Sequence, residues 1–375
     1  MRKVQNNGET MIRRHFIFMS AISLFLSLGA VAAGDVEEER PVWKHAGGCL
    51  GASFSPDGKR IVAVDKKTVV VLDAATGKPL VPPLRHQEPI NGMAFSPDGK
   101  LLVTACADKT ARVWDVATGK ETILPLRHAD GVSIANFSPK GERIVTAGCT
   151  DRKVNIWDTA TGKLLRSIAQ RDAVRSAVFS SDGKRVLAIC NYPNDKAYLW
   201  DAATGALVLG PVGTEMVNSA ALSPDGTRLV TGERSACVWE VATGKLLAKT
   251  AKDWGDVHTV EFSPDGSRII TGTNGSIRVW EAATAKPLTE KLGSIVNIYV
   301  ATFSNDGRRV LGMGTGEAAV WDVATERELA RARGYDCYFG ASFNAQGTRF
   351  VTSGVGSEGD PSLTCLWAVP EDSGD

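Results

Sequence analysis

The stretch "FSPDGKLLVTACADKTARVWDVATGK", Phe95–Lys120, reads as short strands joined by tight turns. Ser96-Pro97-Asp98-Gly99 suits a type I turn, with Pro supplying the fixed φ and Gly the last place. The "LLVTAC" that follows is an apolar run of strand length. Ala107-Asp108-Lys109-Thr110 is a polar turn, and "ARVWD" alternates, so that Val113 and Trp114 face opposite sides of a strand. "DVATGK" makes a second hairpin turn, with Gly119 able to take a positive φ. Nearly the same wording begins at Phe54 and at Phe137.

Counting the wording along the chain settles what it means. The turn glycine recurs at Gly58, Gly99, Gly141, Gly183, Gly226, Gly266, Gly307 and Gly347, at gaps of 40 to 43 residues. The "WD" mark or its relative recurs as often, and seven of the nine tryptophans hold that one position, Trp114 to Trp367. Two residues before the marker Phe stands Ala in six copies, among them Ala52, Ala135 and Ala341. Residues two apart share a strand face, so the first strand of each copy presents a small and a large group to one side. Each copy therefore reads as four strands, a to d. Strand d is variable and partly charged, as suits an outer edge.

Composition narrows the function. The net charge of +1 includes +3 from the first 33 residues, which leaves −2 for the rest. No basic excess remains to neutralise phosphates, which argues against a nucleic-acid partner. The seven cysteines are an odd number without a CxxC pair. They predict neither a disulfide framework nor a cysteine metal site. Arg13-Arg14 precedes "HFIFMSAISLFLSLGAVAA", which ends in small residues. That is the pattern of a secretory signal, residues 1–33, with translation starting at Met1 or Met11. It predicts export to the periplasm or beyond, and no stable membrane insertion once the signal is removed. An uncleaved anchor is the alternative.

The spacing and the Trp-Asp mark strongly resemble the WD40-repeat family, most closely its exported bacterial members, over nearly all of the chain after Arg40. The resemblance implies an all-β fold, a β-propeller of four-stranded blades; the eight counted copies predict a single closed ring of eight blades over residues 34–375, against a family habit of seven. Seven blades with one degenerate copy displaced is the alternative. It also implies a supporting tetrad of His, Ser or Thr, Asp and Trp. Two copies match in full: His86, Thr104, Asp108 and Trp114, then His128, Thr146, Asp151 and Trp157. Other copies depart, with Gly213 in place of the His in the fifth and Leu72 in place of the Trp in the first. His45 lies nine residues before Phe54, as His86 and His128 lie nine before Phe95 and Phe137. "RPVWK" before His45 then reads as a strand d, while "AVPEDSGD" at the end offers none. The N-terminal strand is therefore expected to complete the last blade. Cys49 and Cys337 come within pairing reach if the first strands of copies one and eight adjoin.

No GK[ST], GxSxG or HExxH motif occurs. The aspartates follow the turns and strand ends, copy after copy. A catalytic pair would break that symmetry. The expectation is a non-enzymatic protein-interaction scaffold, a monomeric ring with no cofactor or metal. Its face would lie where the copies disagree: Arg175, Tyr192, Trp254, His258, Tyr335, Tyr338 and Phe339. The alternative is a lactonase-, lyase- or peptidase-like enzyme with its site at the central channel.

Overall fold

The computed structural model describes residues 41–47, 51–191, 195–252, 255–333, 335–356 and 363–370, with the side chains of 335–339 outside the description. The expected signal, residues 1–33, lies outside the described residues. So does Cys49. Every regular element among the described residues is a β-strand, and the strands form eight antiparallel sheets.

The third blade shows the pattern. Strands a to d are Val132–Phe137, Arg143–Gly148, Lys153–Asp158 and Leu164–Ala169, each paired with the next. Strand b is buried along its length after Arg143, whereas strand d is exposed except at Ile168. The apolar faces of b and c therefore point at neighbouring blades. Eight buried clusters result, each shared by two consecutive blades. Val103, Ala105 and Val113 of blade 2 pack on Ile144 and Trp157 of blade 3. Ile270 and Val279 of blade 6 pack on Val310 and Trp321 of blade 7. The series ends where it began, with Val351 and Leu366 of blade 8 against Phe54, Ile61 and Leu72 of blade 1.

The turns carry polar bonds that sequence reading did not resolve. In "SPDG" the Ser hydroxyl donates to the Asp carboxylate, 2.5 Å in Ser55–Asp57 and 2.7 Å in Ser96–Asp98. The Gly N–H returns to the Ser carbonyl at 2.8 Å, with Gly58 at φ +68°. Arginines opening strand b (Arg60, Arg143, Arg185, Arg228, Arg268 and Arg309) then reach across to the turn-glycine carbonyl of the following blade, at 2.5–3.3 Å. Three of them, Arg143, Arg228 and Arg268, also lie 5.2–5.6 Å from the next blade's marker Phe ring, a cation–π geometry.

Six sheets have the expected four strands and two do not. In blade 2 the outer strand is split into Lys120–Glu121 and Leu126–Arg127. In blade 6 the fourth position is reduced to the bridges Ile277↔Leu292 and Trp280↔Pro287. Proline is the reason. Pro125 interrupts the first and Pro287 the second, and proline cannot donate to a ladder. An outer edge tolerates the loss because water satisfies what the sheet does not.

The strand Trp43–Ala46 pairs antiparallel with Leu363–Ala368, with Trp43 opposite Leu366. The Trp43 indole N–H donates to the Ala74 carbonyl of blade 1 at 3.1 Å. Its ring lies so close to Gly77 that a Cβ there would stand 2.7 Å from it. This strand thus touches both the last and the first blade. Removing residues 34–46 is expected to lower the melting temperature of the whole ring in one transition, by about 5 °C or more, given ~2–4 °C per kcal/mol for chains of this size. An unchanged melting curve would show that the strand is a dispensable tail.

Candidate functional site

The tetrads sit between strands b and c and the loop from the preceding strand d. In blade 3, His128 Nδ1 lies 2.7 Å from Asp151 Oδ2 and His128 Nε2 lies 2.7 Å from Thr146 Oγ1. Trp157 Nε1 donates to the same Thr146 oxygen at 2.7 Å. A carboxylate only accepts, so His128 carries its proton on Nδ1. Thr146 then donates to Nε2 and accepts from the indole. Blade 2 repeats the arrangement with His86–Thr104 at 2.7 Å and Trp114–Thr104 at 2.9 Å, but His86–Asp108 widens to 3.5 Å. Two differences accompany the change: the turn of blade 3 is one residue longer between Thr and Asp, and Gly148 stands where blade 2 has Cys106, where a Cβ would lie 2.0 Å from Asp151 Oδ1.

His86, Cys106 and Asp108 present donor atoms within 4.8 Å of one another, a set able to hold a metal. Each is engaged otherwise. The Cys106 thiol donates to the Glu88 carbonyl at 3.1 Å, and burial pushes its pKa up to about 11. Arg112 stands 3.5 Å from Asp108 Oδ2 and supplies the positive charge that an ion would bring.

Three copies without the full tetrad keep the tryptophan's threonine partner. Trp239, Trp280 and Trp367 donate to Thr231, Thr271 and Thr352 at 2.8–2.9 Å. In blade 5, which lacks the histidine, buried Glu233 accepts from Thr231 at 2.8 Å. Its other oxygen accepts from the Thr214 and Glu215 N–H groups at 3.0 and 2.8 Å. A carboxylate from the b–c turn thus reaches the loop that histidine reaches elsewhere. In blade 4 alanine stands at the threonine position, Ala188, and the Trp200 indole nitrogen is buried with no partner.

Of the expected partner face, Arg175 opens strand a of blade 4 and donates to the Val217 carbonyl at 2.5 Å. Asn91 and Asn218 make the same reach to Val132 and Val257 of the following blades, at 2.8 and 3.2 Å. His258 bonds Asn274 at the start of blade 6. Tyr192 and Trp254 lie outside the described residues, as do the side chains of Tyr335, Tyr338 and Phe339.

The inner strands carry a feature that sequence reading missed. Along strand a, buried and half-buried residues alternate, as in Thr259–Phe262. Phe262 and Val260 join the core shared with blade 5, so Thr259 and Glu261 face the other way, toward blade 7, where Glu261 takes a hydrogen bond from Thr302. The same positions of blades 1, 2, 7 and 8 (Gly51, Ser53, Gly92, Val300, Gly340 and Ser342) line a cavity of about 320 Å³. The residue before the marker Phe is Ser53, Ala94, Asn136, Val178, Ala221, Glu261, Thr302 or Ser342. One of the eight is charged. Desolvation pushes the Glu261 carboxyl up to about 7, against a hydrogen bond from Thr302 of the next blade. The signal was legible: a lone charge at a position otherwise small or neutral.

The fold and the blade lock define a repeat propeller, and the comparisons agree. Residues 78–115, 121–158 and 244–281 each match the family model described as WD domain, G-beta repeat. With eight blades of one pattern, the chain is a WD40-repeat β-propeller. Each matched stretch starts at or just before a strand d and ends on the next blade's strand c. A sequence repeat is therefore offset from a blade, and the last blade needs a strand from elsewhere. The crystal structure of the computationally designed protein Ika8 is similar in fold: 21% identity, TM-score 0.74, covering 89% of this chain and all of that one. No protein of curated description matches.

Two predictions follow the geometry. Thr146→Val, which strips His128 and Trp157 of their shared partner, should cost about 1–3 kcal/mol in denaturant unfolding. Ala188→Ser, which offers Trp200 an acceptor, should stabilise. For Glu261 the sign is set by the raised pKa. Between about 4.5, the unfolded value, and about 7 the folded state holds the extra proton. Stability therefore falls as pH rises through that window. Glu261→Gln should melt higher than the native chain at pH 8, and the gap should close toward pH 5. A gap independent of pH would refute the assignment.

Proposed function

We propose that this protein is a non-enzymatic interaction scaffold that presents the face formed by its d–a and b–c loops to a protein partner. The observation that carries the reading is an asymmetry on that face. In blades 7 and 8 strands a and b are Val296–Phe303, Arg309–Thr315, Tyr335–Phe343 and Arg349–Gly356, which run to 8, 7, 9 and 8 residues. The first strands of the other blades have 4 to 6. The excess lies where strand a begins and strand b ends, so these hairpins rise as a wall above one side of the face. The wall exposes Val296 at 54%, Tyr299 at 44% and Val355 at 37%. Nothing in the repeat requires apolar groups there. Exposed aromatic and aliphatic groups on rigid strands are what protein interfaces anchor on.

The enzyme reading lacks a comparable anchor. A hydrolase or lyase site at the channel draws on several converging groups, whereas these two positions of the eight inner strands carry one carboxylate, Glu261, beside the Thr302 hydroxyl. Among the described residues no helix is long and apolar enough to cross a membrane. Together with the signal-like N-terminus, this supports a scaffold that works as a single ring outside the cytoplasm.

The test is capture by the immobilised full chain from an envelope extract at physiological salt. Its control carries Val296→Asp and Val355→Asp, both exposed and so compatible with folding. A protein held by the native chain and reduced at least tenfold by the double variant is the expected outcome. Equal capture by both would remove the wall from the interface.

A further inference from the structure

Blade 2 departs from blade 3 at one corner of its tetrad, and the departure brings three metal-ligating groups together. His86, Cys106 and Asp108 place a ring nitrogen, a sulfur and a carboxylate oxygen within 4.8 Å of one another, the one such cluster among the described residues. Two of the eight copies carry cysteine at this end of strand b, Cys106 and Cys190, and blade 4 has Gln170 in place of the histidine. Blade 2 alone holds His, Cys and Asp at once. The spacing of His86 and Asp108 is that of two ligands rather than of a hydrogen bond. Nδ1 and Oδ2 stand 3.5 Å apart, against 2.7 Å between His128 and Asp151. Two ligands each about 2.0–2.1 Å from a tetrahedral ion stand roughly 3.3–3.4 Å apart. Asp108 spends its other oxygen on the turn, where Oδ1 accepts from the Thr110 hydroxyl at 2.5 Å and the Thr110 N–H at 3.0 Å. The contacts of Oδ2 are long, 3.5 Å to His86 and 3.5 Å to Arg112, and Arg112 has a closer partner in Glu121 at 2.7 Å. The Cys106 thiol stands within hydrogen-bonding reach of this carboxylate. The far side of the imidazole is prepared as well. Nε2 lies 2.7 Å from Thr104 Oγ1, and that hydroxyl has a further acceptor in the Arg112 carbonyl at 3.4 Å. Thr104 can therefore donate to the backbone while accepting from both the Trp114 indole and an Nε2–H. With its proton on Nε2, His86 turns a bare Nδ1 toward Asp108. Metal-bound histidines are oriented this way, by a hydrogen bond from the second ring nitrogen.

We propose that His86, Cys106 and Asp108 bind a divalent cation of the zinc class through Nδ1, Sγ and Oδ2, and that the ion clamps the b–c turn of blade 2 to the loop entering its strand a. Thiolate, imidazole and one carboxylate form a donor set for zinc, whereas calcium and magnesium take oxygen ligands. Thiolate and carboxylate bring two negative charges, which a divalent ion balances, and Arg112 then keeps Glu121. The Glu88 carbonyl, 3.1 Å from Sγ, or a water completes four-coordination. Binding exchanges the long bonds of the ion-free chain for metal–ligand bonds and releases the thiol proton to solvent. The high thiol pKa belongs to the ion-free chain, and a coordinated thiol is deprotonated outright. The cluster lies inside one blade, with His86 and Cys106 buried, so the ion's role is structural. The site is independent of the scaffold reading, and neither needs the other.

The experiment uses the full chain, stripped with a chelator, and cobalt(II) chloride as an optical substitute for zinc. An equimolar amount of cobalt should give a thiolate-to-cobalt charge-transfer band in the near ultraviolet and the strong visible bands of a four-coordinate ion. Zinc chloride should abolish both by displacement. Cys106→Ser should lose the charge-transfer band and weaken cobalt binding about tenfold or more. Cys106→Gly tests the same loss with the residue that blade 3 carries at the corresponding place, Gly148. Melting curves without metal show which variant is folded, and the folded variant decides. Cys149→Ser should bind cobalt as the native chain does, since Cys149 stands one residue beyond that place. Zinc should raise the melting temperature of the native and Cys149→Ser chains with dose, and calcium chloride should leave it unchanged. The proposal is overturned by a native chain that gives no thiolate band, by a band that survives in a folded Cys106 variant, or by a band that Cys149→Ser removes. It is equally overturned if calcium matches zinc. None of these readings involves a partner, so they stand or fall apart from the capture test.

Discussion

The strand c tryptophan, wedged against the preceding blade while its indole N–H rests on a threonine of its own strand b, is the interaction on which the rest of the structure depends. It binds in two directions. The ring packs between sheets, as Trp321 does with Ile270 and Val279. The N–H is spent within the blade, as in Trp280–Thr271 and Trp367–Thr352. A large aromatic side chain buried this way is best placed when its polar end finds a partner, which Trp200 in blade 4 lacks. Threonine one strand over supplies it at no cost to the sheet. Each blade then has two apolar faces and cannot stand alone. Eight blades solve this by covering one another, and the last covers the first through Val351 and Leu366 on Phe54 and Leu72.

A second layer of bonds sets blade against blade. Arginines at the start of strand b donate to the next blade's turn glycine at one end. Asn91, Arg175 and Asn218 do the same work near the other, reaching the next inner strand. Both use long or amide-bearing side chains to satisfy backbone carbonyls that no sheet ladder reaches. Apart from Glu261, such bonds account for most of the polar groups on the inner strands. What departs from the pattern therefore stands out: the long hairpins of blades 7 and 8, and one carboxylate on an inner strand.

Much of this was legible in the sequence. The turn glycines fixed the number of copies, and the tetrads at His86 and His128 formed with the partners that the resemblance implied. Strand d was harder to read. Pro125 and Pro287 shortened it, and an outer edge tolerates proline in a way that pattern alone does not weigh. Glu233 was invisible because it replaces a histidine from a different loop, so no position-by-position match finds it. Arg175 looked exceptional among loop residues, yet its reach to Val217 is the one Asn91 and Asn218 also make. The arginine latches went unread because a contact between residues about 40 apart has no local signature.

Glu261 shows where the boundary lies. The sequence by itself determined the repeat, the turn chemistry, the strand alternation and hence the propeller, because these depend on neighbours along the chain and recur eight times. It also held the one charge in an otherwise neutral column. Only the tertiary structure decided that Glu261 meets Thr302 of the next blade, that glycine and serine on the inner strands of blades 1, 2 and 8 leave a cavity, and that the hairpins of blades 7 and 8 run longer than the rest. Those facts depend on which blades meet around the ring, and closure sets that through packing between residues hundreds of positions apart.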